Sequence, residues 1–295
     1  MADLARIDGL EKSYGDFHLG PLSLAVPEGQ VLGFIGANGS GKTTTIHALF
    51  GAYKRDAGTA TLMGVPVGFG PSANEKALAE AKEGAAFVFD TLSFGDIRVE
   101  DVGRFGALAY QGWDAALFQK ELRDAGIAPS RKTKELSRGM GMRLQLAFAL
   151  AHHPRLLILD EPTAGLDPMA REDALDRLRA FMGEDGHGIL MSSHITTDIE
   201  DIGDQVLCID RGQKVFEMPM DDIRDRYGIA RCTAAQAQAL AGRFPAGSLR
   251  VLVKPHQTDV LVPDAAAFRA AEPTIPVERP SLEEFMVLMI KGEKR

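Results

Sequence analysis

Gly36-Ala37-Asn38-Gly39-Ser40-Gly41-Lys42-Thr43 reads G-x-x-x-x-G-K-T, and Thr44 adds a second hydroxyl. Glycines let the main chain wrap an anion with its N–H groups, and a helix that opens where the loop ends adds a favourable dipole. In this pattern Lys42 reaches the β- and γ-phosphates of a nucleotide, the Thr43 hydroxyl ligates Mg²⁺, and Thr44 donates to phosphate. A chance match in a chain of this length arises on the order of 1% of the time. Far downstream, Leu156-Leu157-Ile158-Leu159 is followed by two carboxylates, Asp160 and Glu161. There Asp160 would hold Mg²⁺, and Glu161 would polarise the water that attacks the γ-phosphate. Alone the second pattern is weak, because many buried strands end in Asp.

These residues need elements to bring them together. Val31–Ile35 reads as a short apolar strand before the glycine loop, and Thr43–Phe50 as the helix after it. Residues 3–35 read as strands with turns at Ser13-Tyr14-Gly15-Asp16 and Pro27-Glu28-Gly29-Gln30. Ala85–Phe89, Leu156–Leu159 and Gly188–Ser192 are further apolar strands, while residues 96–126, Met142–His152 and Arg171–Met182 carry helical patterning. Val206–Ile209 and Lys214–Phe216 read as a hairpin turning at Arg211-Gly212. Strands alternating with helices predict an α/β core with a mostly parallel sheet, whose carboxyl edge is where ligands bind. Beyond Glu217 the texture changes to an Ala-rich helix, Ala234–Ala241, short strands at Val251–Val253 and Val260–Val262, and a last helix, Leu282–Ile290.

Pro162-Thr163-Ala164-Gly165-Leu166-Asp167-Pro168 follows the carboxylate pair, and Leu136-Ser137-Arg138-Gly139-Met140 precedes it with one helix between. Together with the glycine loop and Ser192-Ser193-His194, these motifs resemble, in order over about residues 4–215, the nucleotide-binding subunits of ABC transporters. The resemblance implies a P-loop NTPase core of ABC type, with an N-terminal antiparallel β subdomain and a helical subdomain. It implies that Leu136–Met140 is the signature segment, usually LSGGQ, and that Ala164–Asp167 is the family's D-loop. His194 would contact the γ-phosphate, and Tyr14 stands where the family stacks an aromatic ring on adenine. Two such subunits would enclose two ATP molecules head to tail, as a homodimer or heterodimer, with Ser137 and Gly139 of one facing the phosphate loop of the other; Arg138 would supply charge to the partner's nucleotide or point to solvent, and Asp167 would belong to the nucleotide site. Ser137 also suits a helix N-cap, which is itself an anion site.

The sequence departs from the family at two points. Where members place a glutamine after the strand Ala85–Phe89, this chain has Asp90, a hard oxygen donor able to reach Mg²⁺ directly or through water. In the signature, Arg138 replaces glycine, and Met140 cannot make the hydrogen bonds of the usual glutamine. The other histidines have no such context: His47 lies on the helix behind the phosphate loop, and His152-His153 read as polar residues ending a helix. Arg131-Lys132-Thr133-Lys134 reads as a solvated linker, and Trp113 either faces a membrane partner or fills a small core.

The composition is compatible with this reading and narrows it. The 295 residues carry 41 Asp+Glu against 33 Lys+Arg, a formal charge of -8, which weighs against nucleic acid as a partner. No apolar run approaches the roughly 18 residues that cross a bilayer, and Met1–Arg6 does not resemble a signal peptide. The two cysteines, Cys208 and Cys232, cannot build a disulfide framework, and Cys208 reads as buried filler.

The expected organisation is an ATP-binding domain over 1–216, with a helical subdomain at about 91–150, and a small α+β extension over 217–295. The expected activity is Mg²⁺-dependent ATP hydrolysis that powers a separate transmembrane permease, with the subunit cytoplasmic and peripheral on the inner face of the membrane. The short helical subdomain and small extension look most like the ATPases of ABC-2-type exporters. The alternatives are a non-transport ABC ATPase, or a regulatory nucleotide-binding module. The interval from Thr43 to Asp160 has no room for the coiled coil of DNA-repair relatives, and Glu161 and His194 argue for turnover.

Overall fold

A computed structural model describes residues 2–68, 75–92, 94–245 and 247–295. The chain opens with β1 (Asp3–Tyr14) and β2 (Phe17–Pro27), then β3 (Val31–Ile35), the glycine loop and α1 (Lys42–Phe50). β4 (Ala57–Leu62), β5 (Val65–Pro66), α2 (Glu75–Glu83) and β6 (Ala85–Val88) follow. The helical excursion comprises α3 (Val99–Ala109), α4 (Ala115–Asp124) and α5 (Arg138–Leu150). The chain returns through β7 (Leu156–Asp160), α6 (Pro168–Met182), β8 (Gly188–Ser193), α7 (Thr196–Ile202), β9 (Gln205–Asp210) and β10 (Gln213–Pro219). The C-terminal part is α8 (Met220–Asp225), β11 (Gly228–Cys232), α9 (Ala234–Ala241), β12 (Arg250–Val253), β13 (Thr258–Val262), α10 (Ala265–Ala271), β14 (Val277–Glu278), α11 (Leu282–Lys291) and β15 (Glu293–Lys294).

Three sheets result. An antiparallel sheet has the order β2-β1-β4-β5, and the central six-stranded sheet runs β10-β9-β3-β8-β7-β6. β6, β7, β8, β3 and β9 are parallel, and β10 joins the edge antiparallel. The residues of β3, β7 and β8 are all buried, as their unbroken apolar runs require of parallel strands covered on both faces. Register decides where the chemistry lies. Ile35 pairs with Ser193 and Asp160 with Ser192, so Gly36, Glu161 and His194 leave the sheet together at its carboxyl edge.

The third sheet, β14-β11-β13-β12-β15, is antiparallel. β10 runs through the expected boundary at 216/217, since Glu217, Met218 and Pro219 still pair with Leu207, Val206 and Gln205. The first residue beyond the central sheet is therefore Met220. The extension also shares a core with that sheet. Leu282, Phe285 and Leu288 of α11 are buried in one cluster with Phe216, Ile199 and Val206. Each such side chain contributes roughly 1.5–3 kcal/mol on leaving water, which fixes the last helix to the ATP-binding part.

Three further expectations change. Helix α5 begins at Arg138 instead of Met142, because Ser137 caps it by accepting from the Met140 N–H at 3.3 Å. His152 is no helix-terminal polar residue: it is buried, stacks on Tyr110 at 4.0 Å, and its Nδ1 lies 3.1 Å from the Glu83 carbonyl oxygen. The 131–134 segment is not simply solvated, since Thr133 is buried and Lys134 pairs with Asp96 at 2.7 Å. Trp113 fills a core, packed on Phe118 and Phe148 at 5.2 Å each.

Candidate active site

The glycine loop joins β3 to α1, and at Gly36 its main chain is packed too tightly for a side chain. A Cβ at Gly36 would fall 2.3 Å from the Ile209 carbonyl oxygen and 2.7 Å from Ser40 Oγ. Among the described residues Ser40 Oγ is buried without a hydrogen-bond partner, an arrangement that costs free energy until an acceptor arrives. Asn38 and Gly39 are exposed at the loop's tip, Gly41 (φ 111°) occupies the N-cap of α1, and Thr43 and Thr44 stand in its first turn.

Lys42 is the buried cation of the loop, 5% exposed. Its Nζ donates to the Gly36 carbonyl at 2.7 Å and lies 3.2 Å from Glu161 Oε1. The other carboxylate oxygen, Oε2, lies 2.6 Å from His194 Nδ1 and accepts from the His194 N–H at 3.1 Å. Lys42, Glu161 and His194 thus form one continuous network across the sheet edge. Glu161 takes φ 52°, a left-handed conformation uncommon for a residue with a side chain. Its N–H is held there by the Ser192 carbonyl at 3.2 Å and Ser192 Oγ at 3.1 Å. The Ser192 hydroxyl donates in turn to Asp160 Oδ1 at 2.6 Å. Ser192 therefore orients both carboxylates, a role hidden in the sequence by its neighbour His194.

The donors that could hold Mg²⁺ are all oxygen: the Thr43 hydroxyl at the start of α1 and the Asp160 carboxylate at the end of β7. That set fits a hard cation whose shell is completed by phosphate and water. Among the described residues no cluster of three or more His, Cys, Asp or Glu could hold a metal by itself. Asp90 is exposed, and among the described residues no hydrogen bond or ion pair joins it to Asp160 or Thr43. It lines a cleft of about 460 Å³ with Ser137, Arg138 and Gln145. Gln145 sits in an apolar run, Leu144–Ala151, that carries no motif. Its buried carboxamide donates to the Phe89 carbonyl at 3.1 Å and accepts from the Phe89 N–H at 3.3 Å, clasping the chain next to Asp90.

The remaining predicted residues lie around this centre. Tyr14 is exposed at the end of β1 and meets Tyr53 edge-on at 6.5 Å, with Lys12 Nζ 5.2 Å from its ring. Tyr53, on the loop after α1, carried no motif signal. Arg138 lies across Gly165, where a Cβ would come within 3.2 Å of the guanidinium, and Gly139 faces Ala170 of α6. Asp167 caps α6, accepting from the Met169 and Ala170 N–H groups at 3.0 Å. Away from the site, burial pushes the Cys208 thiol up to about 12, in keeping with its role as filler.

A glycine loop opening a helix, two carboxylates at the edge of a parallel sheet and a histidine one strand away define a nucleoside-triphosphate hydrolase. The comparisons make that class specific. The family model described as ABC transporter matches residues 19–164. The Nod factor export ATP-binding protein I of Burkholderia lata is 38% identical over 215 residues, covering 70% of this chain and 68% of that protein. The ABC transporter ATP-binding protein YdbJ of Bacillus subtilis is 31% identical over 222 residues, covering 74% and 70%. Among solved structures, an ATP-binding subunit of an ABC transporter aligns with a TM-score of 0.65 at 26% identity, over 75% of this chain and 92% of that one. A dimeric ATP-binding cassette in a post-hydrolysis state with ADP and Pi shares the fold, with a TM-score of 0.62 at 21% identity over 73% and 98%. The chain belongs to the ATP-binding subunits of ABC transporters: it binds ATP and hydrolyses it to power transport. No helix among the described residues is long and apolar enough to cross a membrane.

Proposed function

We propose that Glu161 is the general base of this hydrolysis and that His194 holds it in place and contacts the γ-phosphate. The observation that carries this is the Glu161 carboxylate, 3.2 Å from Lys42 on one oxygen and 2.6 Å from His194 on the other. Lys42 donates to the neutral carbonyls of Gly36 and Ala37 and lies against the base. A triphosphate is a far stronger acceptor for an ammonium group. Its arrival would draw Lys42 toward the β- and γ-phosphates and release Oε1 to accept a proton from water. The Ser40 hydroxyl and the main-chain N–H groups of residues 36–41 would cradle the phosphates, and Tyr14 would stack on adenine. Thr43 and Asp160, with Asp90 as a further donor, would hold Mg²⁺, which when bound neutralises phosphate charge.

Two subunits would enclose the nucleotides, with Ser137, Arg138, Gly139 and Asp167 of one completing the site of the other. Their closing and opening would drive a separate permease of ABC-2 type through the helical subdomain, at the inner face of the membrane. Export is supported by the names of the Nod factor relatives and by the small extension, which follows a 1–219 ATP-binding domain. The decisive experiment is Glu161→Gln. Turnover should fall by about two orders of magnitude or more while ATP still binds. Wild-type turnover in that variant would remove Glu161 from the role of base. Copurification of the subunit from membranes with a six-span protein tests the permease, and its absence there would favour a soluble ATPase.

A further inference from the structure

We infer that Asp198 is a positioning residue that sets the register between Glu161 and His194. The inference rests on the reading of those two residues given above. Asp198 lies four residues after His194, in the first turn of α7, and is fully buried. Its Oδ2 accepts from the Thr163 hydroxyl, and its Oδ1 accepts from Arg171 Nε. Arg171 also donates to the Thr197 hydroxyl. Thr163 is itself buried, two residues after Glu161. Arg171 is in the first turn of α6, four residues after Asp167.

One carboxylate therefore joins three chain segments: the one leaving β7 with Glu161, the one leaving β8 with His194, and the helix capped by Asp167. A buried carboxylate is costly unless paired, and both of its pairings cross between segments. Packing leaves α7 little freedom other than to pivot. A Cβ at Gly33 of β3 would fall 2.2 Å from Ile199 Cγ2, so the helix already lies against the sheet as closely as a glycine permits. Asp198 closes off the pivot. At the other end of the span, the Glu161 N–H is held by Ser192 in its left-handed conformation. The 2.6 Å contact between Glu161 and His194 is thus bracketed by Ser192 on one side and by the Thr163–Asp198–Arg171 junction on the other.

A misplacement of about 1 Å at reacting groups costs up to about a hundredfold in rate. Thr163→Val keeps the shape and deletes the hydroxyl, and Asp198→Asn removes the charge that holds Arg171. In each, kcat for ATP should fall about tenfold or more, with KM within about twofold of wild type. Thr163→Ser, which keeps the hydroxyl, should restore kcat. Because the effect runs chiefly through the base, each substitution should lower the residual turnover of Glu161→Gln by a much smaller factor than it lowers that of wild type. Unchanged kcat in Thr163→Val, a proportional rise in KM instead, or an equal loss in the Glu161→Gln background would each overturn the inference. Should Asp198→Asn fail to fold, the Thr163 pair decides alone. Wild-type turnover by Glu161→Gln itself would instead sink the assignment of the base.

Discussion

Two cations, one buried and one half-buried, anchor the ATP-binding part and the C-terminal sheet, and their surroundings differ in kind. Lys42 sits in the glycine loop against main-chain carbonyls and one carboxylate that it shares with His194. Arg231, on β11, is surrounded by three carboxylates from three elements: Asp259 at 3.0 Å, Glu278 at 3.0 Å and Glu284 at 2.6 Å. Burial works to lower the Arg231 guanidinium pKa, but its hydrogen bonds to Glu284, Asp259 and Glu278 outweigh burial and hold it above the usual arginine value. Burial likewise works to raise the Asp259 carboxyl, and hydrogen bonds from Lys254, Arg231 and Gln257 bring it below the ordinary value. Arg231 is saturated and joins β13, β14 and α11 into one unit. Lys42 is held instead by two neutral carbonyls, Gly36 and Ala37, and by one carboxylate that His194 also holds, partners that a triphosphate can displace. Burial of charge alone does not distinguish a working group from a structural one; the strength of its present partners does.

Substitution should separate the two most sharply. Lys42→Met should lower ATP turnover by at least about a hundredfold, since it removes a preorganised charge aimed at the phosphates. Its melting temperature should stay close to wild type. Arg231→Met should do the reverse. Removing Arg231 takes a partner from the buried Asp259 carboxylate and should cost about 3 kcal/mol, read by urea unfolding, while the folded fraction keeps its turnover. A stable Arg231→Met protein with impaired turnover would mean that the C-terminal sheet reaches the active site.

The same contrast explains what was legible in the sequence. Gly36–Thr43, Asp160, Glu161 and His194 could be read because contiguous residue types with fixed chemistry follow apolar strands, and register then carries them to one edge. The fold of the core was legible for the same reason. Thr163, Asp198 and Arg171 were not, because their junction joins positions whose separation in sequence (27 and 35 residues) signals nothing locally. The Arg231 cluster has the same character, with partners 28 to 53 residues away (Asp259 and Glu284) that only the antiparallel pairing of β11 with β13 and the docking of α11 bring near. The 216/217 boundary was misplaced because alternation of polar and apolar residues fades in β10, an edge strand whose last residues are held by pairing with β9.

A smaller effect follows from His152, the histidine that tertiary packing buried. Burial lowers its pKa from 6.5 to about 4, so the folded state resists protonation while the unfolded state accepts it. The sign follows from linkage: between those values the unfolded chain binds more protons, and stability falls as pH falls. The contribution is present in full well above pH 6.5 and is lost progressively as pH falls to about 4, on the order of 3 kcal/mol. His152→Phe keeps a ring against Tyr110 and removes the titration. Its stability relative to wild type should therefore rise between pH 7 and pH 4.5, and parallel pH profiles for the two proteins would contradict the burial argument.

Asp167 tests the comparison at its finest, because one carboxylate would serve both a structural and a working role. Both cap bonds converge on Oδ1, from the N–H groups of Met169 and Ala170. Asp167→Ala removes the cap and should cost about 1 kcal/mol. Asp167→Ser replaces it, since a serine hydroxyl accepts from the same N–H groups, and should return the melting temperature to that of wild type. Serine offers no charge to a facing subunit, so turnover should stay a few-fold below wild type even where stability is recovered. Should Asp167→Ser recover both together, the aspartate is a cap and nothing more, and the facing-subunit contact assigned to this loop must come from its neighbours.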